Sequence, residues 1–157
     1  MSKNEKTVAY STDDLKGFLL SKDIQMVICE TQGDIFQCAN ELGYDMDKFV
    51  PAYMKSHFCE RRMDIAYSPF HMADPEECLD FILPEIDVPK LPEPKYSADT
   101  LWWIGFTYRH LYFELKKTSK EIIDKVSFKA MLIYYPGLST VDEDMAVEII
   151  NEDKFLR

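Results

Sequence analysis

The residues best suited to metal or nucleophilic chemistry are three histidines and four cysteines. His57 and Cys59 form an H-x-C pair, but two positions apart on a helix they face different ways. Neither C-x-x-C nor H-E-x-x-H accompanies them. The pair reads as a partly exposed histidine beside a core cysteine, and no metal or cofactor is expected. Cys–His nucleophilic pairs can assemble from distant positions. Yet Cys29, Cys38, Cys59 and Cys78 each stand at irregular spacing in apolar or helical surroundings, which suits reduced, buried thiols. None of the five glycines belongs to a G-x-G-x-x-G or G-x-x-x-x-G-K-[ST] pattern, so no phosphate cradle is visible. Glu76, Glu77 and Asp80 fall in the first turns of an expected helix, where negative charge complements the helix dipole.

Arg109 has more to explain. One turn away on its helix stand Gly105, Phe106, Tyr112 and Phe113, so its guanidinium leaves a mostly aromatic face beside a glycine gap. A buried arginine needs a carboxylate or an aromatic ring. Asp64, Asp74 and Glu76 are the candidate carboxylates, and His71 lies in the same irregular stretch. Two readings follow: an internal clamp between the halves of the chain, or a pocket for an anionic group. A small enzyme with a site around Arg109, His71 and Asp64 is the catalytic version of the second.

A basic run also stands out, with Arg109, Lys116, Lys117, Lys120, Lys125 and Lys129 against Glu114, Glu121 and Asp124. Two short consecutive helices there raise a helix-turn-helix reading, in which the protein would bind DNA as an autoregulatory component. The second helix weakens it: Phe128, Ala130, Met131, Leu132, Ile133, Tyr134 and Tyr135 leave only Lys129 to reach base edges.

The elements that must position these residues are helical. Asp13 to Leu20 forms a short helix weakened by Gly17. Ser21 caps a helix with apolar positions Ile24, Val27, Ile28, Ile35, Cys38, Ala39 and Leu42, and Gly43 ends it. A second begins near Met46 to Lys48, with Pro51 in or just beyond its first turn and Arg61 and Arg62 near its C-terminus. Asp74-Pro75 opens a third, which ends by Pro84. Four prolines between Pro84 and Pro94 exclude regular helix and predict an extended strap. Ser97 then caps a helix over 98–117 that is apolar nearly all round and therefore buried, with Trp102 on its denser apolar side and Trp103 nearer its polar stripe. Short helices follow over 119–126, over 127–135 (stopped by Pro136-Gly137) and over 141–151 behind Thr140. The expected fold is all-α: a compact single domain of about six to seven helices around the buried 98–117 helix. Within it 1–20 is a partly ordered arm, 21–83 the first helical half, 84–96 the strap and 97–157 the second half.

Bulk composition bounds the partners. Hydrophobic residues make up 46% and aromatics 13% of 157 residues, enough for one core. The net charge of −10, from 28 acidic and 18 basic side chains, repels polyanions and makes nucleic acid and anionic membrane poor general partners. Polar Met1 to Thr7 and the lack of an apolar run near ~20 residues point to the cytoplasm.

The run Leu101-Trp102-Trp103-Ile104-Gly105-Phe106-Thr107-Tyr108-Arg109, with Thr118-Ser119-Lys120-Glu121-Ile122 and Leu138-Ser139-Thr140-Val141-Asp142, resembles small bacterial proteins encoded beside toxin-like genes. The resemblance implies an antitoxin-like or immunity-like role and carries no functional residue with it. The expected function is a non-enzymatic, acidic, helical protein-binding module whose partner is a co-encoded protein.

Overall fold

Ser21, Asp45, Ser97, Thr118, Ser127 and Asp142 each precede a helix, and each side-chain oxygen accepts a first-turn backbone N–H. These caps satisfy donors that the helix cannot pair internally. They set the boundaries in a computed structural model that describes residues 10–153. The part of the expected arm over 1–9 lies outside the described residues.

Among the described residues eight α-helical segments follow in order: α1 (Thr12–Leu15), α2 (Lys22–Glu41), α3 (Met46–Met54), α4 (Pro75–Ile82), α5 (Ala98–Leu115), α6 (Ser119–Lys125), α7 (Phe128–Leu138) and α8 (Glu143–Glu152). The fold is all-α. Among the described residues the β geometry is one isolated bridge, Tyr44 with Lys90. No described helix is long and apolar enough to cross a membrane.

The axis of the bundle is the antiparallel pair α2 and α5. Gln32 Nε2 donates to the Gly105 carbonyl at 2.9 Å, Asn40 Nδ2 at one end reaches the Tyr96 carbonyl at 2.9 Å, and Lys22 at the other reaches Glu114. Helix α4 packs on α2, while α6, α7 and α8 pack around α5. Ile28, Ile35 and Phe36 from α2 meet Leu101, Ile104, Tyr108 and Leu111 from α5, all at 0% exposure. Each such aliphatic side chain removed from water contributes roughly 1.5–3 kcal/mol.

Several expectations are corrected. The buried face of α2 is rotated from the predicted stripe: Gln25, Gln32, Gly33, Phe36 and Asn40 point inward, while Ile24, Val27 and Leu42 are exposed. Three buried amides explain the miss, since Gln25 donates to the Phe18 and Leu20 carbonyls much as Gln32 and Asn40 serve α5 and the strap. Helix α3 carries Pro51 just beyond its first turn as expected, but it ends at Met54, so Arg61 and Arg62 belong instead to a π-helical turn, Cys59–Met63. Pro84 sits inside a 3-10 turn, Leu83–Glu85, ahead of the extended strap. Helix α7 continues through Pro136 to Leu138, because a proline removes one bond and Ser139 N–H resumes the pattern on Tyr135. Helix α5 stops at Leu115, with Lys116 in the left-handed region at φ 52°. Asp142, not Thr140, caps the last helix. Trp102 and Trp103 are both half-buried.

The strap is held against the α2–α3 turn, where Asp45 N–H donates to Pro89 and Leu91 N–H to Gly43. Asp47 fastens its far end through Lys95 and the Tyr96 hydroxyl, both at 2.7 Å.

Candidate functional site

Arg109 lies at the centre of the bundle with no exposure, and its guanidinium is fully engaged. Nη1 donates to Asp64 Oδ1 at 2.7 Å, Nε and Nη2 donate to Gln32 Oε1 at 3.2 and 2.8 Å, and Nη2 also reaches Ser119 Oγ at 3.2 Å. The Tyr112 ring lies 4.5 Å from the guanidinium carbon. Asp64, 2% exposed, is equally satisfied: Ser119 donates its N–H to Oδ2 and its hydroxyl to Oδ1. Tyr53 donates to Gln32 Oε1 at 2.8 Å.

These contacts set the electrostatics. Burial alone would lower the Arg109 pKa, but Asp64 beside it holds it well above its ordinary value. Burial, with Asp64 adding repulsion, pushes the Cys59 thiol up to about 12. Cys59 is thus a neutral thiol, and its sulfur accepts from Arg109 Nη2 at 3.4 Å. The network ties α2, α3, the π-turn, α5 and α6 together with its polar atoms occupied, which describes a clamp rather than an opening for an anion.

The other predicted partners fall elsewhere. Asp74 and Glu76 are exposed at the start of α4 and make no contact with Arg109, so those two candidate carboxylates are corrected. His71 is buried nearby, with Nε2 3.1 Å from the Met63 carbonyl, and burial drives its pKa down to about 4. It is a neutral donor holding the 64–72 loop. Of the basic run, Lys116 pairs with Asp13 at 2.8 Å and Lys120 with Glu60 at 3.2 Å. Lys117 and Lys129 are exposed and Lys125 is half-buried. Lys55 pairs with Asp124 on α6, so acidic side chains interleave the basic run.

Sequence reasoning missed an open apolar groove. Between α1, the 17–20 turn that follows it and residues 65–67 lies a depression of about 920 Å³ lined by Leu15, Leu19, Leu20, Ile65 and Tyr67 among others. A second of about 500 Å³ adjoins it through the shared Leu20, Ala66 and Tyr67 and extends over Ile24, Pro69 and Met72. Leu15 (59%), Leu19 (61%), Tyr67 (83%) and Met72 (67%) are widely exposed along this groove. Contiguous exposed apolar side chains of this kind are where partner and ligand grooves are found.

Its floor is rigid. Gly17, at φ +81°, turns the chain so closely past Ala66 that a Cβ there would lie 3.2 Å from Ala66 Cα. Ala66 N–H donates to the Leu15 carbonyl at 2.9 Å, and the Tyr112 hydroxyl donates to the Lys16 carbonyl at 2.6 Å. Thr31 Oγ1 holds the His71 carbonyl at 2.6 Å from below. The available signal was the cluster Leu15, Leu19, Leu20 and Ile24 straddling a glycine and a cap, too many apolar residues for one short helix to bury.

Comparison with protein-family models, curated proteins and solved structures gives no match for this chain.

Proposed function

We propose that this protein is a non-enzymatic binding module of the cytoplasm that docks another protein in the groove between Leu15, Leu19, Ile24, Tyr67 and Met72. The observation carrying the reading is a rigid floor under widely exposed, contiguous apolar side chains, the arrangement that binding hot spots occupy. The partner supplies apolar anchors on one helical face, flanked by lysine or arginine. Its basic character follows from the −10 charge of this chain, which steers cations inward and sets two copies against each other. The resemblance to proteins encoded beside toxin-like genes makes a co-encoded protein, antagonised by simple binding, the first partner to test.

The experiment is co-expression with each neighbouring gene product, read as co-purification and as rescue of growth. The wild type forms a complex with one of them. A Leu19→Asp, Tyr67→Asp double variant, shown to be folded by circular dichroism, loses both binding and rescue. A complex unaffected by that variant places docking elsewhere, and absence of a complex with every neighbour contradicts a co-encoded partner.

A further inference from the structure

Away from the groove, one face of α5 meets the α7–α8 turn and the start of α8 around a cavity of about 210 Å³. Its walls include Trp102, Trp103, Phe106, His110 and Glu143. Trp102 stacks on Phe106 with centroids 5.1 Å apart, and Phe106 meets His110 edge-on at 6.0 Å. Trp103 is braced by Tyr135 at 5.7 Å. The wall is therefore built of mutually supported rings.

Negative charge gathers around Glu143. Glu143 lies within electrostatic reach of Asp142, Asp144 and Glu30, and burial together with those three neighbours raises its pKa. Lys22 is the nearby cation, but its ammonium is engaged by Asp144 at 3.1 Å, Glu114 at 3.2 Å and His110 Nε2 at 3.4 Å. Among the described residues no lysine or arginine forms an ion pair with Glu143 or Asp142. The half-exposed Lys22 ammonium is held beside His110 at the edge of this crevice, and the cavity itself offers room for a further cation.

We propose that the α5–α8 crevice binds a small alkylammonium cation, with the charged head between the aromatic wall and Glu143. Ring faces attract cations without needing hydrogen bonds, which suits a methylated or quaternary head, while Thr107, Ser139 and Glu143 also line the cavity and supply oxygen acceptors. A bare metal ion fits less well. His110, Glu114 and Asp144 do converge to within 4.8 Å of one another, but the Lys22 ammonium already lies within 3.4 Å of all three, and of them His110 alone lines the adjoining cavity.

The test uses the full chain and its intrinsic fluorescence, since Trp102 and Trp103 are its two tryptophans and both line the cavity. Choline chloride is titrated against equal sodium chloride, beside the neutral isostere 3,3-dimethylbutan-1-ol and beside zinc chloride. Choline gives a saturable change, and the isostere binds at least about tenfold more weakly because it lacks the charge. Glu143→Gln weakens choline binding by roughly tenfold, while Glu148→Gln, exposed on the same helix, leaves it unchanged. No saturable response to choline, equal binding of the neutral isostere, or indifference to Glu143→Gln each overturns the proposal. A response to zinc without one to choline reassigns the site to a metal.

Discussion

Gly33 of α2 and Gly105 of α5 are in contact across the bundle axis: a Cβ on Gly105 would lie 3.0 Å from Gly33 Cα and 2.6 Å from the Gln32 carbonyl oxygen. On the reciprocal side, a Cβ on Gly33 would lie 2.9 Å from atoms of Trp102. The helices therefore approach closely enough for the Gln32 amide to bridge the Gly105 carbonyl and the Arg109 guanidinium. Backbone proximity positions the clamp.

Gly105→Ala should accordingly destabilise the protein although alanine favours helix. The propensity gain is about 1 kcal/mol, whereas overpacking against backbone that cannot step aside costs about 1–3 kcal/mol or more. Gly137→Ala is the control, because nothing lies within 4 Å of its added Cβ. Thermal melts should show a lower Tm for the first and an unchanged or higher Tm for the second. Equal effects would deny the close approach.

Arg109→Met leaves Asp64 buried without its cation, a loss of about 3–5 kcal/mol. Asp64→Asn leaves the converse defect. Because both report one interaction, the double variant should cost clearly less than the sum of the singles. Urea denaturation of the four proteins checks this, and additivity would mean that the two residues act independently.

Acid should weaken the fold through His71. Its folded pKa of about 4 lies below the ordinary 6.5, owing first to burial, so the unfolded chain takes up the proton first. The stability it contributes is complete above about pH 6.5 and declines as pH falls toward 4. The integrated loss is on the order of 3 kcal/mol. His110, also lowered first by burial and then by Lys22, adds in the same direction. His71→Gln, which can still donate to the Met63 carbonyl, should flatten part of that decline. An unchanged pH profile would show that His71 is not titrating there.

The helices were legible because their caps and apolar periods are local properties of the chain. The all-α class and the burial of the 98–117 helix follow from that, as does an internal role for Arg109. Which of three carboxylates meets Arg109 was not legible, because the π-turn Cys59–Met63 turns Asp64 inward and no residue pattern marks such a turn. The rotated face of α2 was hidden by Gln25, Gln32 and Asn40, polar residues that count as surface until their tertiary partners are known. The groove was hidden for the opposite reason: leucines and a tyrosine beside turns look like core until the fold leaves them outside.

The most direct measurement of docking in the groove is site-specific photo-crosslinking in living cells of the native host. Benzoylphenylalanine replaces Tyr67, 83% exposed over the groove, or, as a control, Asp99, which is exposed at the other end of the α2–α5 pair. Ultraviolet irradiation should yield one discrete protein adduct from position 67 and none from 99, and Leu19→Asp should abolish it. No adduct at 67, or the same adduct at both positions, would contradict a docking role for this groove.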